Sequence, residues 1–166
     1  MNKFSDIFTQ ENITFALSIF ASIGTLGTWT CSFFKSRKRL YSELNAYRTN
    51  PHGLLVHMQF SNKSTMPLSI NEISILINGN EYTACKIPQK VKEESTRVGN
   101  VIRSQHDYFS MDFPINLPPL CGDSGYLYFS SEKENFPPLS NKVNLIIRTN
   151  RGRAIQQTFE LKNLLN

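Results

Sequence analysis

Leu54-Leu55-Val56-His57-Met58-Gln59-Phe60 (LLVHMQF, residues 54–60) is the stretch that decides the fold. Leu54, Val56, Met58 and Phe60 fall on one phase, and Leu55, His57, Gln59 and Ser61 on the other. A two-residue period of this kind is the mark of a strand with one face in a core. Downstream the period recurs between turn signals. Leu68 and Ile70 share a phase, whereas Ile73, Ile75 and Ile77 take the opposite one, so a one-residue slip near Asn71-Glu72 predicts a β-bulge or a crossing between sheets. Asn78-Gly79 predicts a two-residue hairpin with Glu81 to Ile87 returning. Residues 88–106 are polar and without period, and read as a long loop. Phe109, Met111, Phe113 and Ile115 alternate until Pro118-Pro119. Gly125 to Ser130, then Val143, Leu145 and Ile147, then Ile155, Gln157, Phe159 and Leu161 complete the pattern, with Asn150-Arg151-Gly152 as a tight connection.

About seven short strands follow from this reading. Their spacing predicts an all-β domain over residues 53–166, an immunoglobulin-like β-sandwich. The Cys…Trp…Cys signature of antibody domains is absent, because the single tryptophan is Trp29.

Upstream, Asn50-Pro51 interrupts the chain and all eight prolines lie at or after position 51, which sets the expected domain boundary there. Residues 35–52 form an expected basic juxtamembrane linker, partly helical, since Leu40, Tyr41, Leu44 and Tyr47 keep helical spacing. Ile13 to Phe34 holds no Asp, Glu, Lys or Arg. As a helix its 22 residues would span about 33 Å against a hydrocarbon core of about 30 Å. Residues 13–34 are therefore expected to be a transmembrane α-helix after a short tail at 1–12. Seven Ser and Thr residues dilute it, but hydroxyls can bond back to carbonyls one turn earlier and cost far less than charges.

The formal charge of +5 is uneven: −1 over residues 1–34, +4 over 35–52 and +2 over 53–166. A nucleic-acid partner would want the excess on the folded domain, so none is expected. The basic run Lys35, Arg37, Lys38 and Arg39 follows the apolar segment, the reverse of a cleaved signal peptide, so the helix is expected to be retained in a cell membrane. By the positive-inside rule the N-terminus is expected outside and the β-domain in the cytoplasm, with Trp29 and the four basic residues at the membrane interface. Small residues four apart (Ser18 and Ser22, Ala21 and Thr25, Gly24 and Thr28) would support a weak homodimer, although composition alone produces such spacing.

Catalytic motifs fail on inspection. Gly122-Asp123-Ser124-Gly125 resembles the nucleophile loop of chymotrypsin-like serine proteases, but the domain is about half the size those enzymes need and Tyr126 replaces the second glycine. The four residues read as a turn. His52, His57 and His106 show no metal spacing, and Cys31, Cys85 and Cys121 include no Cys-x-x-Cys pair. No cofactor, metal or enzymatic activity is expected. Two glycosylation triplets, Asn12-Ile13-Thr14 and Asn62-Lys63-Ser64, are read as chance. Arg148, Arg151 and Arg153 crowd one hairpin, where a solvated turn is preferred over a lipid-facing edge. The expected function is a membrane-anchored, non-catalytic module that binds an unidentified protein partner, with Tyr126, Tyr128 and Phe136 as contacts. The alternative is an extracytoplasmic ligand-binding or adhesion domain of reversed topology.

Overall fold

The computed structural model describes residues 10–99, 101–131 and 135–165, without the side chains of Arg97, Val98 and Val101. It divides into two compact units that meet between Arg37 and Lys38.

The first unit contains one helix, α1 (Gln10–Ser36), with no buried residue. It is long and apolar enough to cross a bilayer. Six of the seven hydroxyls between Ile13 and Phe34 are satisfied as the sequence predicts. Thr14, Ser22, Thr25 and Thr30 donate to the carbonyls of Gln10, Ser18, Ala21 and Leu26, and Ser18 and Thr28 reach back three residues to Phe15 and Thr25. None of these six side chains leaves its hydroxyl donor unpaired, as an apolar surrounding would require.

The second unit is mostly β. Its strands are β1 (Leu40–Asn50), β2 (Gly53–Asn62), β3 (Leu68–Ile77), β4 (Asn80–Thr83), β5 (Lys90–Val98), β6 (Val101–Phe109), β7 (Ile115–Leu117), β8 (Gly122–Ser130), β9 (Lys142–Thr149) and β10 (Ile155–Glu160). One sheet has the order β1-β2-β8 and a second β10-β9-β3-β4, with β7 also on β3, while β5 and β6 pair only with each other. All these pairings are antiparallel. Leu54, Val56, Met58 and Phe60 of β2, with Leu127 and Phe129 of β8, share a single buried cluster with Ile70, Ile73, Ile75 and Ile77 of β3 and Val143, Leu145 and Ile147 of β9. Burying each of these side chains contributes about 1.5–3 kcal/mol, which makes the shared core the main term holding the two sheets together.

Several expectations are met. The phase slip in β3 is a bulge between Ile70 and Glu72. The β3–β4 turn puts both Asn78 and Gly79 at positive φ, 50° and 83°, as a primed hairpin turn requires. Gly152, at φ 65°, turns β9 into β10.

Three expectations are corrected. Residues 40–50, read as partly helical linker, are strand β1, and Asn50–Gly53 is a hairpin turn within the domain rather than its boundary. A bulge between Leu44 and Ala46 is the cause. Leu40 and Leu44 face inward before it and Tyr47 after it, which spaces the inward residues four and then three apart and imitates a helix. Residues 88–106, read as a loop, form most of the β5–β6 hairpin. Gly122-Asp123-Ser124-Gly125, read as a turn, opens strand β8. Its glycines answer close approach: a Cβ at Gly122 would lie 2.7 Å from the Phe60 carbonyl oxygen, and one at Gly125 would lie 2.6 Å from Met111 Cγ. Neither contact leaves room for a side chain without displacement.

One buried polar residue ties the turns at one end of the domain. Asn62 is fully buried, and its Nδ2 donates to the carbonyls of Met66, Leu117 and Pro118 at 2.9, 3.1 and 3.1 Å. Its Oδ1 accepts from Ser64 N and Oγ at 3.0 and 2.7 Å. The Asn62-Lys63-Ser64 triplet is thus a structural plug, with its amide occupied on both sides. Asn62→Ala should destabilise the domain by about 2–4 kcal/mol, since it takes the side-chain donor from the buried Leu117 carbonyl and the acceptor from the buried Ser64 N–H, and leaves a cavity. Lys63→Ala, next door and exposed, should stay within about 0.5 kcal/mol. Urea unfolding of the two variants checks the contrast.

Candidate interaction surface

The outer face of the β1-β2-β8 sheet is built by the residues that alternate with the core. On β2 these include Leu55 and His57, and on β8 Tyr126 and Tyr128, with Tyr126 opposite His57 and Tyr128 opposite Leu55. Tyr128 leans across β2: a Cβ at Gly53 would fall 2.9 Å from both its Cε2 and its hydroxyl oxygen. The ring covers the glycine, a cross-strand use of an aromatic to roof bare backbone. It also helps explain why Leu55 is only 6% exposed on an outward-facing position.

The rings continue beyond this sheet. Tyr126 stands 5.0 Å edge-on from His57 and 6.1 Å from Tyr108 of β6, which in turn stands 4.6 Å from His106. Lys92 Nζ of β5 lies 5.8 Å from the centre of the Tyr108 ring, within cation–π reach. Asn45 Nδ2, at the β1 bulge, lies 3.4 Å from His57 Nδ1. Four rings from three strands thus form one row from β2 to the hairpin, half-buried at His57, Tyr126 and Tyr108 and exposed at His106.

The hairpin is held to the domain at its base. Ser110 N–H donates to the Gln89 carbonyl and Met111 N–H to the Tyr126 carbonyl, at 2.9 and 2.7 Å. Along its length it relies on its own side chains. Lys90 bridges Glu93 and Asp107, Lys92 bridges Glu94, and the Tyr108 hydroxyl donates to Glu94 at 3.1 Å. Exposed pairs of this kind contribute little each, about 0–1 kcal/mol, so the hairpin is the least supported part of the sheet structure.

Of the expected contact residues, Tyr126 and Tyr128 lie half-buried on this face. Phe136 does not join them. It is 9% exposed, packs 5.3 Å from Tyr82 and donates its N–H to the Pro51 carbonyl. Its aromatic character serves the core, and the two prolines that follow it are what suggested exposure. Sequence reasoning missed Tyr108, His106 and Lys92, whose signal was the alternation of Tyr108 with Asp107 and Phe109 at the end of a polar stretch.

The expected interface residues divide between the units. Trp29 is 76% exposed on α1, and the Arg37 guanidinium lies 5.7 Å from the rings of both Phe33 and Phe34. Lys38 belongs to the β-domain. Its Nζ donates to Thr149 Oγ1 at 3.0 Å and to the Arg153 carbonyl. Partial burial, and then the nearby Arg151 charge, hold its pKa below the ordinary lysine value. Arg39 is exposed, and its carbonyl accepts from Lys63 N–H. Arg148 leaves the expected arginine group: its Nη1 donates to Glu72, Ser74 and Glu81 on the outer face of the second sheet.

Among the described residues no three His, Cys, Asp or Glu side chains converge as metal ligands. The Asp123 carboxylate accepts from the Ser124 N–H. No protein-family model and no curated protein matches the chain.

The hairpin carries a pH dependence with a definite sign. Hydrogen bonds from Lys92 and then Tyr108 hold the Glu94 pKa below its ordinary value. Its contribution is complete above the unfolded carboxylate value, about 4.3, and disappears as pH falls through the lower folded value. Amide protection across 90–109 should therefore be lower at about pH 3 than at about pH 6, and Glu94→Gln should flatten the difference. Hydrogen exchange, corrected for intrinsic rates, measures it.

Proposed function

We propose that the chain is a single-pass membrane protein whose β-domain, an immunoglobulin-like sandwich on the cytoplasmic side, acts as a non-catalytic module that binds another protein. Three observations support the reading at successive levels. The apolar, fully exposed α1 supports anchoring, and the basic run after it supports the orientation. The strand orders β1-β2-β8 and β10-β9-β3-β4 support reading the two sheets as A-B-E and G-F-C-C′ of an immunoglobulin-type sandwich, with β7 on β3 as a departure from that pattern. The β5–β6 hairpin is then an insertion between C′ and the following strand.

The observation that carries the binding role is the ring row His57–Tyr126–Tyr108–His106. Tyrosines supply large contact area at low entropic cost and dominate the energetics of many interfaces. This row also spans a sheet face and a hairpin, so one partner could engage both at once. Tethering to a bilayer raises the effective concentration of a partner in the same membrane without any added contact.

A photo-reactive phenylalanine analogue replacing Tyr126 or Tyr108 in the full chain, in its native membranes, should form one adduct of discrete added mass. The same probe replacing Ile146, on the outer face of the opposite sheet, should form none. Equal adducts at all three positions, or none at Tyr126 and Tyr108, would remove the binding role from this face.

A further inference from the structure

The Lys38 end of the β-domain gathers five basic residues and an apolar tip. Lys38 is hydrogen-bonded to Thr149 and to the Arg153 carbonyl, and Thr149 Oγ1 donates to the Arg151 carbonyl. Lys63 is tied to Arg39 through the backbone, and the Leu120 N–H donates to the Ser64 carbonyl. These bonds bring Lys38, Arg39, Lys63, Arg151 and Arg153 onto the same cluster of turns as residues 64–67 and 118–121. Asp123, at the start of β8, is the carboxylate nearest in sequence to those turns.

At the same end two large apolar side chains project into solvent, Leu120 at 70% exposure and Met66 at 46%. Leu120 is held at φ 57°, a left-handed conformation that costs a leucine and that glycine would take freely. A strained backbone presenting an exposed leucine is an observed outlier with no role in the core, and such outliers point toward function.

We infer that this end of the β-domain is a docking surface for an anionic lipid bilayer, with Leu120 and Met66 entering the headgroup region beside the exposed Arg39, Lys63 and Arg153, while Lys38 and Arg151, both half-buried, add positive charge behind them. Charge complementarity selects the occupant: cations near a surface are each attracted by anionic lipid, and that attraction decays within a Debye length. Covalent continuity supports it, because Lys38 directly follows the unit that contains the apolar helix. The inference rests on the membrane-anchor reading. It adds that the domain lies on the bilayer rather than moving freely on its tether, which would fix how the aromatic row faces a partner.

Cys121 provides a native reporter, since it is exposed and adjoins Leu120, whereas Cys85 is half-buried and hydrogen-bonded to Ser130. The full chain would be reconstituted into nanodiscs of phosphatidylcholine, alone or mixed with phosphatidylglycerol, and treated with a membrane-impermeant maleimide. Site-resolved mass spectrometry then follows each thiol. Alkylation of Cys121 should be about fivefold slower or more in the anionic discs, with Cys85 unchanged and the protection lost at high salt. Lys63→Glu combined with Arg153→Glu, both exposed positions, should abolish the protection. Leu120→Gly should weaken it while raising thermal stability, because it removes the apolar tip and relieves the positive φ, so loss of protection there is not loss of fold. Equal Cys121 rates in both lipids overturn the docking surface, as does protection that is equally strong in detergent, which would mark a protein contact. A chain that does not associate with discs of either composition fails the anchor reading itself, a separate result.

Discussion

The buried carboxamide of Asn62 is the interaction on which one whole end of the domain depends. It ends the central strand β2, reaches the carbonyls of Met66, Leu117 and Pro118, and accepts from Ser64. A single side chain thereby closes the connection from β2 to β3 and holds the segment between β7 and β8 against it. An apolar residue could not do this, because the buried Leu117 carbonyl would lose this donor and the buried Ser64 N–H its acceptor. The basic turns and the exposed Leu120 are presented from this frame, so a polar constraint in the interior sets the geometry of a surface.

The two-residue period made the core legible. Every inward residue of β2 and β9 named from alternation lies in the buried cluster. The bulge in β3 was readable as a phase slip, and the Asn78-Gly79 turn from its dipeptide. What escaped did so for physical reasons. In β1 the bulge between Leu44 and Ala46 converted an alternating strand into one with helix-like spacing, and periodicity alone cannot separate the two. The β5–β6 hairpin has no buried face over most of its length, so no apolar alternation exists to be read. Its pairing is expressed in charges, such as Lys90 with Asp107, whose partners are known only once the register is known.

Glycine and aromatic residues were ambiguous for a related reason. Gly122 and Gly125 admit a carbonyl and a methionine rather than a turn, and Gly53 admits the Tyr128 ring. Each requirement comes from a neighbour distant in sequence. Tyr126 and Phe136 looked alike as aromatic residues near loops, yet one lies on an outer sheet face and the other closes the core. The candidate surface was therefore half legible: its β8 members could be named, and its hairpin members could not be joined to them before the fold was known.

The central claim is that α1 anchors the β-domain at the inner face of a membrane. The most direct measurement is the location of residue 166, with reporters fused after Asn166, one active only outside the cytoplasm and one only inside, followed by alkaline carbonate washing of the membranes. The account predicts signal from the cytoplasmic reporter alone, retained in the washed membranes. Signal from the external reporter, or a chain released into the soluble fraction by the wash, would contradict it.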